Sequence, residues 1–306
     1  PSFSINSDGT HWKCHAHCGS GDQVDFYAKA VGLTGREACI RFLQEFGGPA
    51  WQTHSAPRPL PRLESQSDLE VRNREQRRGT WPMFESPVTG EDDTAHRAMS
   101  ALAKLRHLSL EGVRLAADRG LLLFAAWRDK PAWILSDRRR VNAQARRMDG
   151  KPWEHIGAKA QTLAGSEAAW PIGIEEAEPF PVMLLVEGGP DLLAAYHLIH
   201  VYGRALDVAA VAMLGAGQRI HPKALHLFAG KMVRIIRHAD SAGDKAAAAW
   251  ALQFEGIARK VDSVSLAGLK MHPGGGKDLN DLVRLAPHPV DDNNLIPEIY
   301  EWPIQS

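Results

Sequence analysis

Three acidic stations stand at intervals in the second half of the chain: Glu187-Gly188-Gly189-Pro190-Asp191, His238-Ala239-Asp240-Ser241-Ala242-Gly243 and Gly276-Lys277-Asp278-Leu279-Asn280-Asp281. Each comes after a short apolar run with strand character. Pro181 to Val186, Val208 to Met213, Lys231 to Arg237 and Lys260 to Leu266 read as strands. Asp191 to Val201, Pro222 to Phe228, Gly243 to Ile257 and Leu279 to Leu285 read as helices. Strand and helix in alternation imply a mainly parallel four-stranded sheet covered on both faces, an α/β fold. Ligands of such sheets bind beyond the carboxyl ends of the strands. Gly188 and Gly189 permit a tight turn after Glu187, and Pro190 suits the first position of a helix. Gly243 and the alanines at 246–249 let the next helix pack closely on the sheet.

Singly, each acid is explained as a solvated loop residue or a cap, and Asp191 and Asp278 sit near helix starts. Together, in this order and after these strands, they read as a site. Carboxylates gathered on one edge suit Mg²⁺, a hard cation that takes oxygen ligands and phosphate partners. That points to chemistry on nucleotides or nucleic acid.

Upstream, residues 1–48 form a first unit. Thr10 to Cys14 reads as a strand, and Asp22 to Ala30 and Arg36 to Phe46 as helices, the second closed by Gly47-Gly48. Residues 49–66, proline-rich and poor in large apolar groups, read as a linker. Residues 67–178 form a mixed α/β unit. Its helices are expected over Asp68 to Arg78, Thr94 to Leu105 and Ser109 to Arg119, and its strands over Leu121 to Trp127, Ala132 to Ser136 and Val141 to Ala145. Residues 179–287 hold the acidic stations, and 288–306 are a polar tail.

A chain of 306 residues has room for about two domains. The formal net charge is zero, so any nucleic-acid surface must come from local clustering. Three cysteines cannot build a disulfide framework, which fits the cytoplasm. The longest apolar runs, such as Leu121 to Trp127, are too short to span a membrane. The chain opens at Pro1 rather than Met, inside a motif, and is expected to be a fragment.

Two further clusters carry chemistry. Cys14-His15-Ala16-His17-Cys18 packs four thiolate or imidazole groups into five positions. Such ligands suit tetrahedral zinc, but one knuckle normally supplies only two of the four required. The densest basic stretch runs from Asp137 to Gly150. If Val141 to Ala145 is a strand, Asn142 and Gln144 share one side, and Arg146, Arg147 and Lys159 would flank a groove for phosphates. A solvated turn is the plainer reading of so short a run. Trp133, Trp153 and Trp170 would either stack bases or fill the core. Leu214-Gly215-Ala216-Gly217 lacks the full dinucleotide fingerprint. Gly274-Gly275-Gly276-Lys277 lacks the Walker spacing.

The three stations, over residues 180–287, resemble the Toprim domain of primases, topoisomerases and related nucleases. The resemblance implies Glu187 as general acid or base or as part of the metal site, an Asp-x-Asp pair (here His238 and Asp240) that binds Mg²⁺ (or Mn²⁺), and a further metal-binding acid, Asp278, with Asp281 beside it. The chain departs from that pattern at His238, which stands in the first place of the pair, with only Asp240 retained. Imidazole is a poor Mg²⁺ ligand. Pro1-Ser2-Phe3-Ser4, Trp12-Lys13-Cys14 and Cys18-Gly19-Ser20-Gly21-Asp22 resemble the zinc ribbon of bacterial and phage primases. That implies Zn²⁺ on Cys14 and Cys18, with His17 as alternate, and a Cys-x-x-His pair upstream of Pro1; without it the ribbon is expected to be poorly ordered or poorly metallated. Cys39 reads as core.

Primases of this type carry a basic subdomain just before the Toprim domain. Arg146, Arg147 and Lys159 match it, and Lys277 is a further candidate for nucleotide contact. The resemblance implies primer synthesis on a single-stranded DNA template from ribonucleoside triphosphates, in a phage, plasmid or integrated element, with a replicative helicase as partner. Two other classes stay open: a Toprim nuclease, and a non-catalytic single-stranded-DNA-binding protein in which His238 marks lost chemistry.

Overall fold

The computed structural model describes residues 3–16, 19–47, 66–84, 93–271 and 273–285. The chain divides into two compact units, Pro1–Ser65 and Gln66–Ser306.

The first unit opens with three antiparallel strands, β1 (Phe3–Ile5), β2 (His11–Cys14) and β3 (Gly19–Asp22), paired in that order. Only β2 is legible in the sequence. β3 is Gly-Ser-Gly-Asp, with no strand propensity. It forms by pairing with β2, and at Gly21 a Cβ would meet the Asp25 side chain at 2.3 Å, so a bare backbone is what fits there. Asp22 then caps α1 (Gln23–Val31) in a capping box with Asp25. α2 (Gly35–Phe46) follows and packs on α1 through Tyr27, Phe42 and Phe46. Gly47 ends α2 in a right-handed conformation, not the left-handed one that a terminal glycine suggests. Cys39 is free and half-buried.

The second unit begins with α3 (Gln66–Arg78), α4 (Asp93–Arg106) and α5 (Leu110–Asp118). An antiparallel meander follows: β4 (Leu122–Trp127), β5 (Lys130–Ser136), β6 (Ala143–Arg147) and β7 (Ala160–Thr162). β6 starts two residues later than the sequence suggests. The Asp137 carboxylate accepts the amides of Val141 and Asn142 at 2.9–3.1 Å and holds them in a turn. Arg146 and Arg147 therefore lie on opposite faces of the strand.

Next come β8 (Val182–Val186), α6 (Gly189–Val201), β9 (Val208–Ala212), a 3₁₀ turn at Pro222–Phe228, β10 (Met232–Arg237), α7 (Ser241–Gln253), β11 (Lys260–Ser265) and α8 (Leu279–Leu285). The four strands are parallel, in the order β11-β10-β8-β9. The expected α/β class is what is found. Val182, Leu184 and Val186 face a core shared with α5, α6, α8 and Trp133 and Leu135 of the meander. Met183 and Leu185 face a second core against Trp250 and Phe254. The regions 67–178 and 179–287 thus share one hydrophobic core. Where α5 crosses α6, a Cβ on Gly112 would fall 2.5 Å from His197 Cα. Among the described residues, no helix is long and apolar enough to cross a membrane.

Candidate functional site at the carboxyl edge of the parallel sheet

Glu187 directly follows β8 and His238 directly follows β10, and these strands are neighbours. Their first residues past the sheet are therefore side by side. Asp240 caps α7 by accepting the Gly243 amide at 2.9 Å. The segment after β11 is tied to the same edge, since Ala239 donates its amide to the Lys277 carbonyl at 2.8 Å. Lys277 reaches back to Asp240, with Nζ 3.5 Å from Oδ2. Asp278 accepts the Asp281 amide at 2.8 Å, and Asp281 accepts that of Lys277 at 3.0 Å. The structure brings Glu187, His238, Asp240, Lys277, Asp278 and Asp281 together.

Asp191 belongs with them, although sequence reasoning treats it only as a residue near a helix start. It is buried in the first turn of α6. One oxygen accepts the amides of Leu279 and Asn280 at 3.1 and 3.4 Å, so Asp191 caps α8 from another helix. The other lies 3.0 Å from His238 Nε2, and His238 Nδ1 lies 3.3 Å from Glu187 Oε2. The second oxygen of Glu187 is buried with no partner among the described residues.

These contacts set the protonation states. Burial, more than any neighbour, raises the Glu187 pKa. Burial and then the Asp191 charge push Asp278 up to about 6. Burial alone would lower His238, but the hydrogen bond and charge of Asp191, then the charge of Glu187, hold it up at about 9. Asp240 sits below its ordinary value because it accepts the Gly243 amide.

Arg106 and Arg146 lie near the acids, and Asn280 donates its side-chain amide to the Arg106 carbonyl at 2.7 Å. Their guanidinium carbons lie 5.4 and 5.9 Å from the Trp133 ring, and both feel the charges of Asp191 and Asp278. Burial lowers both pKa values, that of Arg146 to about 10. The Nε of each is buried without a hydrogen-bond partner among the described residues. Two like-charged forks held this close suit a phosphate. Arg106 ends α4, and its sequence neighbourhood carries no sign of this role.

Other expected residues lie elsewhere. Arg147 points to the far face of β6, bound to Asp149 at 2.5 Å and Glu154 at 3.3 Å, so its fork is taken up by two neighbouring acids. Lys159 is exposed in the loop before β7. Trp133, Trp153 and Trp170 are all buried core residues, not stacking platforms. Cys14 ends β2, half-buried; His17 and Cys18 lie outside the described residues.

The Mg²⁺ implied by the resemblance does not fit these positions as they stand. Among the described residues, no three His, Cys, Asp or Glu side chains are grouped to hold a metal ion. His238 already stands between Glu187 and Asp191.

No family model matches the chain, and no curated protein matches it. Solved structures do. The chain is similar to the zinc-binding and RNA polymerase domains of the Aquifex aeolicus primase, with 18% identity over 93% of this chain and 72% of that one, TM-score 0.38. It is also similar to the primase fragment of the bacteriophage T7 primase-helicase protein, with 15% identity over 94% and 90%, TM-score 0.42. A DNA primase domain from Pseudomonas aeruginosa aligns at 20% identity over 59% and 58%, TM-score 0.35. At these identities and scores none of the three decides anything about this chain's chemistry.

Proposed function

We propose that this chain is a primase-like protein that synthesises short RNA primers on single-stranded DNA, in the replication of a phage, plasmid or integrated element. The observation that carries this reading is the convergence of Glu187, Asp191, Asp240, Asp278 and Asp281 at one sheet edge, with Arg106 and Arg146 near them. Acids and arginines together suit a substrate that carries both phosphates and a hydroxyl. A primer 3′-hydroxyl would attack the α-phosphorus of the incoming ribonucleoside triphosphate, losing its proton, and pyrophosphate would leave. The arginines would hold phosphate oxygens in place, and Glu187, whose pKa burial raises, would accept the proton. The first unit would help to recognise template, and a replicative helicase would supply it.

The test is primer synthesis on single-stranded DNA with labelled ribonucleotides and either Mg²⁺ or Mn²⁺. Short products that vanish in Glu187→Gln and Asp240→Asn are expected. No products, with strand binding intact, sinks the synthetic reading.

One observation favours a second reading, the placement of His238 between Glu187 and Asp191. On it the chain is a non-catalytic single-stranded-DNA-binding protein. Its binding would weaken steeply with salt and ignore divalent metal.

A further inference from the structure

The ring of His238 touches two buried carboxylates at once. Nδ1 is 3.3 Å from Glu187 Oε2 and Nε2 is 3.0 Å from Asp191 Oδ2, and the three side chains are only 14, 7 and 4% exposed. We infer that His238 is a built-in counter-ion, which bridges Glu187 and Asp191 and closes the position between them to a divalent metal.

The physical need is plain. Two carboxylates out of water and close together need a cation between them. A neutral imidazole has one donor and can satisfy only one of them; the doubly protonated ring donates to both. The charge count agrees with that state. Two carboxylates and an imidazolium leave one net negative charge. Three carboxylates, as they would stand with aspartate at 238, leave the same charge once a divalent cation joins them. The histidine therefore replaces an acid and its metal together.

Packing holds the bridge in place. A Cβ on Gly243 would lie 2.9 Å from His238 Cβ and 2.8 Å from Glu187 Oε1, so both residues press on the first turn of α7. The ring is not itself a metal ligand, because ligation needs a free ring lone pair and both nitrogens are turned to carboxylates. Lys277 beside Asp240 places a second side-chain cation at the same edge.

This inference rests on the three side chains alone and holds whether or not the chain makes primers. The test is Mn²⁺ titration of the full chain, followed by the paramagnetic resonance of the free ion, with thermal unfolding measured with and without Mn²⁺. His238→Asp is expected to bind one Mn²⁺ more than wild type, or to bind it at least about tenfold more tightly. Its unfolding temperature should rise with Mn²⁺ where that of wild type does not. If His238→Asp folds only when Mn²⁺ is present, that is the same result in stronger form. His238→Asn, which removes the charge without adding an acid, should also gain affinity. Equal stoichiometry and affinity in wild type and both variants overturns the inference. So does direct coordination of Mn²⁺ by the wild-type His238 ring, seen in its nitrogen resonances. Failure of primer synthesis alone leaves it standing.

Discussion

The carboxylate of Asp191, on α6, receives the backbone amide of Leu279 at the start of α8, 3.1 Å away. A residue in one helix thus caps another, while its second oxygen meets His238. Asp191→Ala would strip a buried imidazolium of one partner and leave two amides without theirs. The expected loss is about 3–5 kcal/mol in denaturant unfolding. Asp191→Asn, which keeps an acceptor for the amides, should lose clearly less. Equal losses would mean that the cap matters little.

Stability should fall as pH rises through two windows. The His238 pKa is raised from 6.5 to about 9 by folding. Its contribution is fully present below 6.5 and is lost as pH climbs through 9, on the order of 3 kcal/mol. Asp278 is raised from 3.8 to about 6, so the folded chain holds that proton more tightly. Its contribution is present below 3.8 and is lost by about pH 6. Unfolding free energy measured against pH should flatten between 6.5 and 9 in His238→Gln, and between 3.8 and 6 in Asp278→Asn.

Arg146 and Arg147 are neighbours in sequence and should behave as opposites. Arg146→Ala is expected to weaken single-stranded-DNA binding and to lower the salt slope by about one. Arg106→Ala should do the same. Arg147→Ala should lower the unfolding temperature, because it frees Asp149 and Glu154, and should leave the salt slope unchanged. A salt slope lowered by Arg147→Ala and not by Arg146→Ala would reverse this assignment.

Gly112→Ala should destabilise by roughly 1–3 kcal/mol, because the new methyl group meets the backbone of His197, which cannot rotate aside. Gly217 has open space around it, and Gly217→Ala should stay within about 0.5 kcal/mol of wild type in the same unfolding measurement.

The parallel sheet and its acidic edge were legible in the chain itself. Strands buried on both faces need unbroken apolar runs, and Val182–Val186 and Val208–Ala212 are such runs. Glu187 directly follows the first of these runs, and His238 and Asp240 come just past β10, so their place at the carboxyl edge is a consequence of local sequence. What neighbours each acid was not legible. Arg106 reaches the site from the end of α4, and Asp191 caps α8 from α6, through contacts between residues far apart in the chain. β6 starts two residues late, where Asp137 holds the Val141 and Asn142 amides in a turn, and runs on through Arg146 and Arg147, which alternation along the strand then sends to opposite faces. The role of His238 depends on two carboxylates set 3.0 and 3.3 Å from its ring. A residue's place along a strand follows from local propensity and pattern, but the charge it meets depends on which distant elements the core packs against it.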